Sequence, residues 1–272
     1  MPDTSNAIPL SGATRVFQIL GDPIAQVKSP GGMTASFHVR GRDAIVVPAQ
    51  IPPERLGEYL DALAYLKNLD GLIVTVPHKF ACFAHCAEAT ERARFLGAVN
   101  VMRKTEAGWL GDALDGIGYV TALKNGGARL SGARALLIGA GGAGSAIALS
   151  LIEGGARELA VHDPDAARRD SLIARLNGLG KGKVHIGSAD AGGFDLVCNA
   201  SPMGMREGDP LPVEAETIAP SAFVACVITA PAISPLIAAA RARGCKTSTG
   251  YDMYLAVQAL MVDFLLDGRE AA

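Results

Sequence analysis

The sequence predicts an α/β fold built on mostly parallel sheets, and three observations carry the prediction. Short apolar runs alternate with amphipathic stretches along the chain, the pattern of parallel strands joined by helical crossovers. Glycine and proline punctuate the ends of those runs, as in Gly21-Asp22-Pro23 and at Pro77. Between Ile138 and Ser145 the chain holds a glycine-rich turn where a buried strand would hand over to a helix.

The elements follow in order. Val16–Leu20 reads as a strand, broken by Gly21-Asp22-Pro23, and Ile24–Pro30 as a loop, because Pro30 starts a new element. Met33–His38 is a short helix and Ala44–Pro48 a strand. Leu56, Tyr59, Leu60, Leu63 and Leu66 form one helical stripe, predicting a helix over 53–66 opened by Pro53. Gly71–Val76 is a strand ended by Pro77, and Val99–Arg103 another, turned by Glu106-Ala107-Gly108 into Trp109–Asp112. Gly116–Leu123 begins a helix that carries the chain into a second domain.

Leu136–Ile138 is short and wholly apolar, as a strand buried on both faces should be. Gly139, Gly141 and Gly144 then fall at the spacing of a G-x-G-x-x-G turn. The first glycine makes the tight turn, the second lets a pyrophosphate approach the backbone, and the third lets helix and strand pack closely. Ser145–Glu153 can form a helix whose N-terminal amides face phosphates. Leu159–Val161 is the next strand, and Asp163 lies 19 residues beyond Gly144 (163 − 144). There a carboxylate would accept ribose hydroxyls and repel a 2′-phosphate. A Rossmann dinucleotide site over Gly139, Ala140, Gly141, Gly142, Ala143, Gly144 and Asp163 is therefore expected, with NAD as cofactor and NADP as the alternative. Arg168 and Arg169 could reach a phosphate, but read as solvated charges on the next helix, 165–176. Val184–Ile186, Asp195–Cys198 and Ala222–Ile228 are further strands, Pro235–Arg243 a helix, and Tyr251–Leu266 a long last helix.

Composition bounds the function. The chain has 272 residues, 49% apolar and 19% charged, with a net charge of −2. It can bury a real core and carries no basic block, which argues against nucleic acid as a partner. No apolar run is long enough to span a membrane, and the leader Met1–Asn6 lacks the regions of a signal peptide. A cytoplasmic protein, monomer or homodimer, is expected. Five scattered cysteines are not a disulfide framework. Cys82 and Cys86, with His78 and His85 nearby, raise the question of a metal, but closed zinc sites draw on two separated pairs. Buried thiols are the reading, with no metal expected.

A nicotinamide site needs a group that moves a proton as the hydride moves. Val74-Thr75-Val76-Pro77-His78-Lys79 delivers Thr75 and Lys79 to the carboxyl end of a strand, where open α/β sheets place ligands. Gly97-Ala98-Val99-Asn100 puts a neutral amide at another strand start, and Gly111-Asp112-Ala113-Leu114-Asp115-Gly116 puts Asp115 just before a helix. Asp115 reads equally as a helix cap or as the carboxylate that orients the Lys79 ammonium.

Taken together these stretches resemble the shikimate/quinate dehydrogenase family. The resemblance also includes Gly21-Asp22-Pro23-Ile24-Ala25 with Lys28-Ser29-Pro30, Asn199-Ala200-Ser201-Pro202-Met203-Gly204-Met205 and the late Gln258. It implies a substrate domain over 1–116, completed by a C-terminal helix over 250–272, and a Rossmann domain over 117–249. It implies Lys79 and Asp115 as the proton-transfer dyad, and Thr75, Asn100 and Gln258 as ligands of ring hydroxyls. Asn199, Ser201, Met203 and Gly250 would border the cofactor.

The departures bear on substrate. The family has two serines around the lysine of the opening loop, which bind the substrate carboxylate; here they are Val27 and Ser29. Its tyrosine for the same carboxylate is Thr229, its Asn-Thr-Asp is Ala113-Leu114-Asp115, and its His-Asn pair is Met33-Thr34. The dyad is kept while the carboxylate anchor is thinned, which implies a divergent member acting on a cyclic polyol altered near its acid group. The alternatives are plain shikimate 5-dehydrogenase of aromatic amino-acid biosynthesis and a metabolite-sensing, repressor-like relative.

Overall fold

The computed structural model describes residues 10–266, so the leader Met1–Asn6 and the end of the expected helix 250–272 lie outside the described residues. The chain forms two compact units, 1–112 with 261–272 and 113–260.

In the first unit, β1 (Arg15–Gly21), α1 (Ser29–Val39) and β2 (Ala44–Gln50) are followed by α2 (Leu56–Ala62) and β3 (Leu69–Val74). Next come α3 (Lys79–Ala84), β4 (Glu88–Ala89), α4 (Glu91–Leu96), β5 (Val101–Thr105) and β6 (Gly108–Asp112). The strand order is β2-β1-β3-β5-β6-β4. β1 runs parallel to β2 and β3, and β4 parallel to β6, but β5 is antiparallel to both of its neighbours, β3 and β6. The expectation of mostly parallel sheets is thus met more loosely here than in the second unit. A two-residue turn at Glu106-Ala107, with Gly108 at φ +120°, joins β5 and β6 locally, and a tight turn can only produce an antiparallel pair.

The expected continuous helix over 53–66 is split. 3₁₀ turns at Pro53–Arg55 and Leu63–Tyr65 flank α2, and the Lys104 ammonium donates to the carbonyls of Leu63, Ala64 and Leu66 (3.1–3.4 Å), closing the end. α1 begins at Ser29 rather than Met33, because Pro30 sits in its first turn, where no amide is needed. Phe17 and Phe37 stack at 4.5 Å in the core between β1 and α1.

The second unit holds α5 (Asp115–Asn125), β7 (Arg134–Ile138), α6 (Gly142–Glu153), β8 (Glu158–His162), α7 (Ala166–Asn177) and β9 (Lys183–Ile186). It continues with β10 (Leu196–Asn199), β11 (Phe223–Cys226), α8 (Pro235–Ala242), β12 (Lys246–Ser248) and α9 (Gly250–Leu266). Its sheet is parallel throughout in the order β12-β11-β10-β7-β8-β9. Counted from β7 this is the 3-2-1-4-5-6 order of a doubly wound dinucleotide fold, with the switch point between β7 and β10. Strands β7, β8 and β10 are buried almost throughout.

Helix α5 lies whole in the second unit, whose start at 113 precedes the boundary of 116/117 expected from the sequence. A Cβ on Gly116 would lie 2.0 Å from the Ala146 carbonyl oxygen, so α5 is seated backbone against backbone on α6. The second division, read at 249/250 from the sequence, falls inside α9 at 260/261. The last turns of α9 belong to the first unit. There Leu265 packs so closely on β3 that a Cβ on Gly71 would lie 2.5 Å from its Cδ2.

Candidate active site

The first unit gathers Thr75, Lys79 and Asn100 at one end of its central strands, where β3 stops and the antiparallel β5 begins. Thr75 follows β3; its amide donates to the Leu20 carbonyl (2.9 Å) and its carbonyl accepts from His78 (3.0 Å). A Cβ on Gly21 would meet Thr75 Cγ2 at 2.6 Å, so the glycine of the Gly21-Asp22-Pro23 break lets the two strand ends close. Lys79, half-buried, opens α3, and its carbonyl accepts from Val99 (3.1 Å). Asn100 is 2% exposed and locked by backbone on both sides: its carbonyl accepts from Val74 (2.8 Å) and its amide donates to the Asp112 carbonyl (2.9 Å). Ser29 is the first residue of α1, and Val27 lies half-buried in the turn before it, its amide donating to Ile24 (3.1 Å).

One network there was not anticipated from the sequence. The buried Asp112 carboxylate accepts from Thr90 Oγ1 (2.6 Å) and Arg92 Nε (2.7 Å), and pairs with the second guanidinium nitrogen. Thr90 also caps α4. This closed set of charge-assisted bonds holds the end of β6, and through it Asn100. The acid sits in the Gly111–Gly116 stretch that was read for Asp115 alone.

The cysteine–histidine group has structural uses. His78, 1% exposed, binds the Ile51 carbonyl through Nε2 (2.8 Å). Burial pushes the Cys82 thiol up to about 12 and Cys86 up to about 11, as for small buried thiols. Among the described residues no group of three or more His, Cys, Asp or Glu side chains is placed to hold a metal.

In the second unit the three motif glycines have separate physical reasons. Gly139 adopts φ +98°, and a Cβ there would lie 2.9 Å from the Ala200 and Ser201 backbone. A Cβ on Gly144 would lie 1.9 Å from the Gly139 carbonyl oxygen. Gly141, which precedes α6, has no atom within 4 Å of its would-be Cβ, and neither has Gly142. The first and third glycines are thus required by the chain itself, and the second leaves open space before the amides of α6. Ala140 is buried and Ala143 half-buried. A pyrophosphate fits this arrangement of open backbone and helix N-terminus.

Asp163 follows β8 and is held by backbone amides on both carboxylate oxygens. It is 5% exposed; Oδ2 accepts from the Ala140 amide (2.7 Å) and Oδ1 from the Asp165 amide (2.8 Å). The more exposed acid of this loop is Asp165, which caps α7 and lies 3.4 Å from Arg168. Arg168 is indeed on the surface, whereas Arg169 is mostly covered and bonds Asp170 (2.8 Å).

Asn199 is also turned inward. Fully buried at the end of β10, its Oδ1 accepts from the Ser201 amide (3.0 Å) and hydroxyl (2.6 Å). Its Nδ2 faces the carbonyls of Ser201 and Met203 (both 3.4 Å) and Cys226 Sγ (3.3 Å). Asn199 shapes the loop that Ser201 and Met203 present. Gly250 begins α9 buried, where a Cβ would lie 2.3 Å from the Ile228 carbonyl oxygen; packing explains this glycine. Thr229 is exposed after β11, and Gln258 is half-buried on α9. Asp115 is half-buried one residue inside α5, Leu114 holding the cap position. Lys79 and Asn100 belong to the first unit, and Asp115 and Gln258 to the second.

Residues 19–102 match the family described as the shikimate dehydrogenase substrate binding domain. Shikimate dehydrogenase (NADP(+)) of Rubrobacter xylanophilus is 38% identical over 253 residues, 90% of this chain and 88% of the relative. Among solved structures, ligand-free 5-ketofructose reductase of Gluconobacter sp. strain CHM43 is similar with a TM-score of 0.87 and 27% identity, covering 95% of each chain. Quinate dehydrogenase from Corynebacterium glutamicum, in complex with NAD, is similar with a TM-score of 0.85 and 28% identity, covering 94% of this chain and 95% of that one.

Proposed function

The chain belongs to the shikimate dehydrogenase family, and we propose that it transfers a hydride reversibly between NAD(P) and a ring alcohol or ketone of the shikimate/quinate type. The observation that carries this reading is the glycine turn at the switch point of the 3-2-1-4-5-6 sheet, with Gly141 leaving open backbone before α6. Gly139–Gly144 and the α6 amides would hold the pyrophosphate, and the Asn199–Met205 loop would border the nicotinamide. When bound, the nicotinamide accepts or donates the hydride.

The rest of the chemistry belongs to the chain's own residues. In oxidation Lys79 Nζ accepts the hydroxyl proton, and in reduction it returns it. Asp115 orients that ammonium, while Thr75, Asn100 and Gln258 hold ring hydroxyls and Ser29 one oxygen of an acid group. The rigid backbone around Asn100 supports this use, since a side chain that selects hydroxyls needs a fixed root. Two acids, Asp163 and Asp165, at the end of β8 support NAD over NADP, while Arg168 keeps NADP as the alternative.

A second reading of the substrate rests on Val27. An apolar residue in the turn before α1 gives a carboxylate one donor fewer, which favours a polyol altered at its acid end. The structural likeness to a 5-ketofructose reductase agrees with that direction. Turnover on shikimate, quinate and carboxylate-free keto-polyols, each with NAD and NADP, tests both readings. Turnover on none of them overturns the function, and efficient turnover on shikimate overturns the altered-substrate reading.

A further inference from the structure

Thr75, Lys79 and Asn100 hang on one backbone frame. The Val74 amide, just before Thr75, donates to the Asn100 carbonyl (2.8 Å), and the Asn100 amide donates to the Asp112 carbonyl (2.9 Å). The Val99 amide donates to the Lys79 carbonyl (3.1 Å). On the β1 side the frame is braced by strands, since β1 and β2 pair from Arg15–Ala44 to Gly21–Gln50. On the β6 side the bracing runs out. β4 pairs with β6 at Glu88–Leu110 and Ala89–Gly111, and this pairing stops one residue short of Asp112.

Side chains take over where the strand stops. Thr90, the residue after β4, gives its amide to the Gly111 carbonyl (3.1 Å) and its hydroxyl to Asp112 Oδ1 (2.6 Å). Arg92 Nε donates to the same oxygen (2.7 Å) and Nη2 pairs with the other, a fork onto both carboxylate oxygens. The Asp112 side chain is 2% exposed, so water and salt screen the pair little. A matched pair stands at the opposite end of the same sheet. Arg15, at the start of β1, forks in the same way onto Asp70 of β3 (Nε to Oδ2, 3.0 Å).

From this juxtaposition we infer that Arg92, acting through Asp112, is a positioning residue for the recognition of ring hydroxyls by Asn100. The guanidinium fork does at the end of β6 what a neighbouring strand does elsewhere, and it fixes the backbone from which the Asn100 amide reaches. The inference rests on the reading of Asn100 as a hydroxyl ligand and deepens it. A hydroxyl that does not react is held alike before and during hydride transfer, so loosening its ligand raises KM and leaves kcat.

The test compares Arg92→Ala with Arg15→Ala. It uses steady-state kinetics on the best of shikimate, quinate and the carboxylate-free keto-polyols, together with NAD titration and thermal denaturation. Arg92→Ala should raise KM about tenfold, the scale of one hydrogen bond to a charged group. Its kcat and NAD affinity should stay at the parent values. Arg15→Ala breaks the matched pair and should lower Tm without raising KM. In a double-mutant cycle with Asn100→Ala, the Arg92→Ala change should add no further rise in KM. Parental KM in Arg92→Ala overturns the inference. So does an equal rise in Arg15→Ala, or a rise that adds in full to that of Asn100→Ala. A parent chain that turns over none of these compounds overturns the functional reading itself, a distinct outcome.

Should Arg92→Ala not fold, Arg92→Lys decides, since lysine keeps the charge and cannot fork. The Asn100 amide should exchange hydrogen about tenfold faster there than in the parent, with the Thr75 amide on the β1 side unchanged. Equal rates at Asn100 overturn the inference.

Discussion

Replacing Gly141 and Gly144 separately by alanine should pull stability and cofactor affinity apart. The Gly144 Cβ would stand 1.9 Å from the Gly139 carbonyl oxygen and 2.7 Å from its carbon, where ordinary contact begins at 3.4 Å. The shortfall is 1.5 Å (3.4 − 1.9), and both opposing atoms are backbone, so no rotamer change relieves it. Helix α6 must move off the turn, at about 3 kcal/mol by the scale of overpacked cores, or roughly 6–12 °C in Tm. Gly141 is the opposite case. Its φ of −69° suits an L-residue and its Cβ meets nothing within 4 Å. Alanine there should stabilise the cofactor-free chain by about 0.4–1 kcal/mol, through the unfolded state. The same methyl occupies the approach of the pyrophosphate and should weaken NAD by about 1–3 kcal/mol, about fivefold to 150-fold in Kd. Thermal denaturation and NAD titration on both variants read the two effects. Parental affinity in Gly141→Ala would refute the reasoning, because the open space would then have no role in cofactor binding.

Lys79→Ala should lower turnover by about 10²–10⁴ with NAD affinity unchanged, and Asp115→Asn should lose rate in the same direction; single-turnover kinetics on the best substrate checks both. Val27→Ser combined with Thr229→Tyr should raise kcat/KM on shikimate about tenfold or more, since the serine adds a donor to a charged group and the tyrosine carries its hydroxyl further than threonine does; no gain would remove the altered-substrate reading. Asn199→Ala should release the Ser201–Met203 loop and weaken cofactor binding, with the lost order visible as faster amide exchange at Ser201. Arg134 and His185 hold the Glu158 carboxyl down at about 2 from its ordinary 4.5. A depressed carboxyl contributes stability above its unfolded value, and that contribution is lost as pH falls from about 4.5 towards 2. Urea titrations across that window should therefore show a flatter pH dependence in Glu158→Gln than in the parent.

Long apolar strands and helices were legible because their signals are local. The β7–α6–β8 unit needed only a run of apolar residues, three glycines and another run, and each element falls where that pattern puts it, extended by one to three residues at its ends. Short elements were not legible. Helix α4 has six residues, too few for a helical stripe, although its Thr90 cap and left-handed Gly97 (φ +63°) were present as signals. Strand β12 has three residues, and only its pairing with β11 makes it a strand. The stripe from Leu56 to Leu66 was real as a buried face, with Leu56, Leu60 and Leu63 all buried. A face does not specify hydrogen bonding, however, and 3₁₀ turns at both ends satisfy the same pattern.

By itself the sequence determined where chemistry-bearing residues stand along the chain. Gly139, Gly141 and Gly144 follow a strand, Thr75 and Lys79 follow another, and Asn100 precedes a third. Those are questions of spacing, and spacing along strands and helices is set by backbone periodicity. Only the tertiary structure decided what each polar atom does with its hydrogen-bonding capacity. Asp163 stands where a ribose ligand should, and its oxygens accept from the Ala140 and Asp165 amides, which no spacing announced. Asn199 stands at the cofactor loop and spends its amide on that loop, and Asp112, unremarked in its motif, holds Arg92 and Thr90. A buried polar group must find partners or cost the fold several kcal/mol. Which partners are in reach depends on segments distant in sequence, as Ala140 is from Asp163 and Thr90 from Asp112, and only the folded chain brings them together.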